Sequence, residues 1–162
     1  MSECCSVKPP VISAAARSCP ACGNLSKRVD ILTVKSLVRN LPFGFVPAQY
    51  YFCAAPDCPV VYFPVEPQAP TFQQKDLLVR VGVKERQDPI PVCYCFGVTR
   101  RDIANEIRET GKSTIAERIK AEVKTGNCAC EVKNPSGKCC LGDVARVVLD
   151  ARRTADEQQR ER

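Results

Sequence analysis

The 162-residue sequence contains no histidine and no tryptophan, one methionine, and only 6% aromatic residues. Without imidazole the chain lacks the most frequent general base of enzymes, and it has neither a glycine-rich phosphate loop nor a paired-acid motif. A lysine or carboxylate base stays formally open. Hydrolytic catalysis is therefore not expected, and no catalytic residue is assigned.

Long hydrophobic runs and concentrated charge are also missing. Prolines and charged residues interrupt every apolar stretch before it reaches the ~18–20 residues of a membrane span. The start, Met1 to Cys5, lacks the basic segment and apolar core of an export signal. We expect a soluble, cytoplasmic chain without membrane contact.

The formal charge of +6 is spread along the sequence, so nucleic-acid binding is not expected. The basic residues form either an ordinary basic surface or, as the alternative, a surface that docks an acidic partner protein.

Cysteine, in contrast, is abundant, with 12 residues. In a reducing cytosol so many cysteines are more often metal ligands or redox groups than disulfides. Metal sites would also stabilise units too small to bury a large core. The adjacent pair Cys4-Cys5 either forms a binding site for a soft metal ion or binds nothing specific.

The first constellation consists of two close cysteine pairs about 30 residues apart, Cys19-x2-Cys22 and Cys53-x4-Cys58. Four thiolates delivered from two turns suit tetrahedral zinc, and a site completed by four cysteines leaves no open position for catalysis. We predict a structural zinc site. A dithiol redox motif would need a thioredoxin-like βαβ pattern, which is absent, whereas mononuclear iron would use similar ligands.

Around this constellation the pattern predicts mainly strands. Residues 50–52 and 60–63 are rich in aromatic and β-branched residues and predict a hairpin around Cys53 and Cys58. Thr33 is the predicted N-cap of a short helix before that hairpin. The alternating residues from Leu77 to Val83 predict an edge strand.

The second half predicts helices. Thr99 and Asp102 form an approximate capping box for a helix that ends at Gly111, and Ser113 or Thr114 caps the next. A third helix runs from about Leu141 into the charged tail. The predicted class is α+β, a small β-rich zinc-binding unit followed by a three-helix unit. The predicted division is a flexible segment 1–17, a zinc-binding domain 18–87, a helical metal-binding domain 88–152 and a charged tail 153–162.

The second constellation crowds six thiols at one end of the helical half, in the segments Cys93-x-Cys95, Cys128-x-Cys130 and Cys139-Cys140. Two predicted helices begin just after these cysteines, so their positive N-terminal ends would stabilise an anionic group. An oxidised [2Fe-2S] core with four thiolates carries net charge −2, so it suits a site beside two helix N-termini. A second zinc ion is the chemical alternative.

Residues 92–99 (VCYCFGVT) and the segments GNC at 126–128 and GKCCLG at 137–142 resemble a known family. They are similar to the [2Fe-2S] unit of bacterioferritin-associated ferredoxin and, more closely, to the N-terminal region of CopZ-type copper chaperones. That resemblance extends from Cys19 to Val148 and implies paired zinc and [2Fe-2S] sites. The copper-binding module with a Met-x-Cys-x-x-Cys motif has no counterpart in this sequence, so copper transfer through such a module is not expected of it.

The resemblance also implies the ligands of the cluster. The Cys-x-Cys pair maps onto Cys93 and Cys95, and the phase of the last helix places the fourth ligand at Cys140 rather than Cys139. For the third ligand, the long loop favours Cys130, and Cys128 is the alternate. Cys128 and Cys139 would then be spare thiols, either reactive or simply buried.

Together these predictions describe a [2Fe-2S] and zinc protein that transfers one electron in copper or other soft-metal homeostasis, through reduction of Cu(II) to Cu(I). It is expected to act as an electron carrier or metal-ion reductase rather than a typical enzyme. Its expected partners are a redox protein, a separate metal chaperone and a soft metal ion. The alternatives are a zinc-ribbon binding module and a thiol-rich protein that sequesters metal without electron transfer.

Overall fold

The computed structural model describes residues 16–162, so the predicted soft-metal site at Cys4-Cys5 lies outside the described residues. It combines an antiparallel sheet in the first half with helices in the second, which confirms the α+β class. The strands are β1 Arg17–Ser18, β2 Leu25–Val29, β3 Tyr50–Phe52, β4 Val60–Pro64, β5 Phe72–Gln73, β6 Pro91–Cys93 and β7 Val98–Thr99. The helices are α1 Ile31–Leu37, α2 Arg100–Thr110, α3 Ile115–Lys124, α4 Cys130–Lys133 and α5 Leu141–Arg160.

The first sheet has five antiparallel strands in sequential order, β1 to β5. Its centre is the predicted hairpin, in which Tyr51 of β3 lies opposite Phe63 of β4. Aromatic and β-branched side chains fill both faces, because α1 covers one face while the cysteine turns pack with Tyr51 and Phe63 on the other. The hairpin prediction is confirmed.

Helix α1 begins three residues earlier than predicted. Its N-cap is Asp30, whose carboxylate accepts a hydrogen bond from the Leu32 amide at 2.8 Å. The prediction of Thr33 as N-cap is wrong, because an aspartate is an equally good cap and lies just before the first helical residue. Thr33 is instead completely buried.

The predicted edge strand from Leu77 to Val83 is also wrong. The edge strands of the sheet are β1 and β5, and after β5 the chain forms 3-10 turns at Gln74–Asp76 and Gly82–Lys84. Of the alternating residues, only Leu77 is in a β-bridge, with Val38. Gly82 packs so closely on the next unit that a Cβ atom would lie 2.0 Å from the Pro91 carbonyl oxygen. Close packing at this glycine replaces strand pairing.

Helices α2, α3 and α5 lie where the sequence predicts them, whereas the sequence does not predict the short helix α4. Thr99 and Asp102 form a complete capping box for α2, and Gly111 ends the helix with φ of 76°. Glu106 of α2 then accepts hydrogen bonds from the Thr114 amide and the Ser113 hydroxyl at the start of α3. Isoleucines of α2 and α3 pack against valines of α5 in one apolar core. Among residues 16–162, no helix has both the length and the apolar character needed to cross a membrane.

Candidate metal centres

The first candidate centre is formed by Cys19, Cys22, Cys53 and Cys58, whose sulfur atoms all lie within 4.8 Å of one another. The Sγ atoms of Cys19 and Cys58 are 3.9 Å apart, and those of Cys22 and Cys53 are 3.6 Å apart. A tetrahedron of sulfurs at ~2.3 Å from zinc has edges of about 3.8 Å. The donor set and its spacing therefore fit one zinc ion.

Two turns of the sheet deliver these four thiols. Cys19 follows β1, and its carbonyl accepts a hydrogen bond from the Gly23 amide at 2.8 Å, in a turn where Gly23 has φ of 74°. Cys53 and Cys58 lie in the loop between β3 and β4, where the Cys53 amide donates to the Val61 carbonyl at 2.9 Å. The sheet itself fixes the separation between the two pairs.

Burial and backbone hydrogen bonds shift the acidity of thiols in this centre in opposite directions. Burial raises the pKa of Cys53 to about 12, and it also raises the pKa of Cys58. A hydrogen bond from the Asn24 backbone lowers the pKa of the exposed Cys22. A metal that binds here must displace protons from Cys53 and Cys58, so its affinity falls as the pH falls.

Lys84 lies beside this centre, and no motif in the sequence indicates its role. Its side chain is only 6% exposed, and its Nζ donates hydrogen bonds to the carbonyl oxygens of Ala55 at 2.7 Å and Cys58 at 2.9 Å. The positive charge also lowers the pKa of Cys53, against the larger opposite effect of burial. Zinc with four thiolates carries net charge −2, which a neighbouring cation partly offsets.

The second candidate centre brings together Cys93, Cys95, Cys130 and Cys140 as two close pairs. The Sγ atoms of Cys93 and Cys140 are 2.9 Å apart, and those of Cys95 and Cys130 are 3.5 Å apart. Cys93 and Cys95 lie at the turn between β6 and β7, Cys130 opens α4, and Cys140 is the N-cap of α5. Three segments of the chain, the β6–β7 turn and the starts of α4 and α5, therefore converge on one thiol-rich site.

Backbone amides surround these sulfurs. The Ala129 amide donates to Cys95 Sγ at 3.2 Å, and the Cys140 amide donates to Cys130 Sγ. The hydrogen bond from Cys140 is the main reason that the pKa of Cys93 falls to about 6, while the same contact raises the pKa of Cys140. Such donors favour thiolate over thiol. Burial raises the pKa of Cys130 to about 12, so this thiol must lose its proton before it can bind a metal. Four cysteines arranged as two pairs fit a [2Fe-2S] core, which takes two cysteines on each iron.

Two further thiols lie close to this centre. Cys128 is half-buried, whereas Cys139 is exposed and borders a cleft between the two halves of the chain. Burial is the largest cause of the raised pKa of Cys130, and the hydrogen bond with Cys93 is the largest cause of the raised pKa of Cys140. Charge repulsion from Cys139 adds a smaller contribution to both. The structure thus brings all six cysteines of the second constellation into one region.

The fold and the first centre define a class of protein: an α+β chain with a four-cysteine zinc-type site in an antiparallel sheet, followed by helices that carry a second thiol cluster. The family described as the zinc binding domain of CopZ matches residues 16–78. The copper chaperone CopZ of Archaeoglobus fulgidus is 38% identical over 129 residues, which are 80% of this chain and 60% of that protein.

The crystal structure of the Archaeoglobus fulgidus CopZ N-terminal domain superposes with a TM-score of 0.63 at 38% identity, over 80% of this chain and 95% of that domain. The chain therefore belongs to the CopZ family, in its N-terminal region, and it contains a zinc-binding domain. It spans about 60% of the length of the full-length relative.

Proposed function

We propose that the chain is a zinc- and [2Fe-2S]-containing redox protein that transfers single electrons in the homeostasis of copper or another soft metal. In this proposal zinc is structural and the cluster carries the function. The zinc ligands are Cys19, Cys22, Cys53 and Cys58, and the cluster ligands are Cys93, Cys95, Cys130 and Cys140.

The observation that carries the proposal is the paired arrangement of the second thiol set. Cys130 rather than Cys128 is chosen as third ligand because its sulfur lies 3.5 Å from that of Cys95. The 20-residue helix α5 begins directly after Cys140, and the positive end of its dipole favours an anionic group there. Amide donors to sulfur add to this preference and also raise the reduction potential of a bound cluster.

The link to copper rests on the full-length relative, which is named a copper chaperone. A bound [2Fe-2S] cluster would supply one electron, so each reduced cluster that is oxidised would convert one Cu(II) to one Cu(I). A separate redox protein would reduce the oxidised cluster again, and a separate metal chaperone would receive the Cu(I). Because both sites need reduced cysteines, we place this chemistry in the cytoplasm.

We also propose that the chain divides near residues 84–91. Residues 18–87 would form the zinc-binding domain, and residues 88–152 would form the cluster-binding domain built on α2, α3 and α5. The apolar contacts support this division, because the valines and aromatics of the sheet form one core and the isoleucines of the helices form another.

Metal analysis of anaerobically purified protein tests the proposal first. We expect a reddish-brown protein with about two iron and one zinc per chain, whose colour bleaches with dithionite. A colourless protein that contains only zinc would overturn the proposal. It would then favour a zinc-ribbon binding module, for which salt-dependent association with a partner is the next measurement.

Copper reduction tests the electron-transfer step. Cu(II) added to dithionite-reduced, desalted protein should abolish the paramagnetic resonance of the reduced cluster and yield about one Cu(I) per cluster. Cys95→Ser should lose both effects, because it removes a proposed cluster ligand. Cys139→Ser is the matched control, since it removes one thiol from the same region but no proposed ligand. Equal copper reduction in both variants would contradict electron transfer and favour metal sequestration by thiols.

A further inference from the structure

The loop that carries two of the proposed cluster ligands is held by the zinc-binding half of the chain. Between Cys130 and Cys140 the chain leaves the helices and packs on the sheet. The Tyr62 hydroxyl of β4 donates to the Pro135 carbonyl at 2.7 Å, and the Thr33 hydroxyl of α1 donates to the Glu131 carbonyl at 2.6 Å. Tyr62 and Thr33 are both completely buried; the hydrogen bond of Tyr62 is buried as well, whereas that of Thr33 is partly exposed.

Close packing strengthens the attachment. A Cβ atom on Gly137 would lie 2.8 Å from Thr33 Oγ1, and Gly137 has φ of 68°, which favours glycine. The loop therefore approaches α1 as closely as its backbone allows. A side chain at residue 137 would force either the loop or the Thr33 hydroxyl that it contacts to move.

The loop is also rigid within itself. Asn134 is 6% exposed; its Oδ1 accepts from the Ser136 amide at 3.0 Å and its Nδ2 donates to the Lys138 carbonyl at 2.8 Å. The Gly137 amide donates to the Asn134 carbonyl at 2.8 Å. A loop bonded in this way moves as one body. Its anchors at Thr33 and Tyr62 therefore fix the positions of Cys130 and Cys140 at its two ends.

The anchor at Tyr62 depends on the first thiol centre. Tyr62 lies opposite Phe52, the residue before Cys53, and the Cys53 amide bonds the neighbouring Val61 carbonyl at 2.9 Å. Cys53 and Cys58 occupy the loop that joins these two strands. A metal at these thiols closes the hairpin that presents the Tyr62 hydroxyl, and loss of the metal leaves four crowded thiols without the bonds that hold them.

We infer that Tyr62 and Thr33 are positioning residues for Cys130 and Cys140, and that zinc binding in the first half is a precondition for cluster binding in the second. The second part rests on the proposed function of the second thiol set. Zinc then has a role beyond stabilising its own unit. It orders the metal loading of the chain, zinc first and cluster second.

Tyr62→Phe is the test variant, because it removes one hydroxyl and keeps the ring. Tyr50→Phe is the matched control: Tyr50 is equally buried and its hydroxyl donates to the Pro70 carbonyl at 2.9 Å, but that bond stays within the zinc-binding half. Both variants lose a tyrosine–carbonyl hydrogen bond and keep the buried ring. Only the first releases the loop.

Hydrogen exchange gives a readout that needs no iron. In zinc-loaded, iron-free protein, the amides of Asn134 and Gly137 should exchange about fivefold faster in Tyr62→Phe, the factor expected for one net hydrogen bond. They should be unchanged in Tyr50→Phe. The Gly111 amide at the end of α2 should be unchanged in both variants. Equal exchange of the loop in both variants would overturn the positioning role.

Cluster reconstitution then tests the order of loading. Tyr62→Phe should change the visible circular dichroism of the cluster and speed its loss to a chelator about fivefold, while Tyr50→Phe should match the wild type. In Cys53→Ser, zinc uptake should fall and iron uptake should fall with it. Wild-type iron uptake by zinc-free Cys53→Ser would overturn the inference. If the wild type itself took up no iron, the proposed function would fail, and the exchange data would still decide whether the loop is anchored.

Discussion

Lys84 places a cation beneath the loop that joins Cys53 to Cys58. Burying an ammonium group is costly unless its donors are satisfied and its charge is compensated. Here two carbonyl oxygens accept from Nζ, and the thiolates of a loaded zinc site supply the opposite charge. The arrangement explains how a lysine that is only 6% exposed is tolerated in so small a unit.

Lys84→Met should weaken zinc binding by about 10- to 100-fold, the usual effect of removing a group that supports metal ligands. It should also lower the free energy of unfolding by about 1–3 kcal/mol, because the two carbonyl oxygens lose their donor. Chelator competition and urea denaturation measure the two effects. Lys75→Met is the control, since Lys75 lies in the other 3-10 turn and is exposed. Wild-type zinc affinity in Lys84→Met would show that the cation does not support the site.

At the scale of single elements, the start of α2 controls how the chain leaves the turn that contains Cys93 and Cys95. The Thr99 hydroxyl accepts from the Asp102 amide at 3.3 Å, and the Asp102 carboxylate accepts from the Thr99 amide at 2.8 Å. The hydrogen bonds from Thr99 lower the pKa of Asp102 below its usual value. The cap is therefore strongest when Asp102 is ionised.

Thr99→Ala should lower the free energy of unfolding by about 1 kcal/mol at pH 7, the typical effect of losing a cap. Because folding depresses the pKa of Asp102, its contribution is present above the unfolded value of about 3.9 and is lost as the pH falls through the folded value. Carboxyl titration by NMR should show the pKa of Asp102 rising toward about 3.9 in the variant. The exposed Thr71, outside any helix, provides the control Thr71→Ala. An unchanged pKa in Thr99→Ala would contradict this account of the cap.

Elements with local determinants could be predicted from the sequence. The hairpin follows from aromatic and β-branched runs on either side of a cysteine turn, and α2 follows from its capping box and terminal glycine. The segment from Leu77 to Val83 could not be predicted in this way. Its alternation is typical of a strand, but a strand needs a partner, and close packing of Gly82 against Pro91 decides its path instead.

The same limit applies to the candidate sites. Cysteine spacing alone grouped the first four thiols, which the structure brings within 4.8 Å. The pairing of Cys95 with Cys130 and of Cys93 with Cys140 emerges only when the β6–β7 turn, α4 and α5 are packed together. Tyr62 and Lys84 act through backbone carbonyls far away in sequence, a kind of contact that leaves no pattern in the chain.

At the scale of the whole molecule, the two halves enclose a cleft of about 630 Å3. Basic side chains line it from both sides: Lys27 and Arg28 from β2, Arg100 from α2, Lys138 from the loop between α4 and α5, and Arg146 from α5. Arg146 pairs with Asp143, whereas within residues 16–162 the other four form no ion pair. The exposed thiol of Cys139 also borders the cleft.

A cationic cleft beside the second thiol centre favours an acidic redox partner, because complementary charge steers association and increases its rate. In the proposed function, reduction by an acidic flavodoxin-type donor should therefore slow as salt increases from about 0.01 to 0.15 M, as the screening length shortens from about 30 to 8 Å. Stopped-flow bleaching of the cluster colour measures this rate.

Reversing two of the cleft charges should reproduce the effect of salt. The double variant Lys27→Glu with Arg28→Glu should slow reduction by the acidic donor at least tenfold at low salt and flatten its salt dependence. The same reversal at Lys120 and Lys124 of α3, which do not line the cleft, is the control. Reduction by a small uncharged reductant should be equal in all three proteins, because it needs no steering. If the α3 variant slowed reduction as much as the β2 variant, net charge rather than the cleft would determine the rate, and the partner would dock elsewhere.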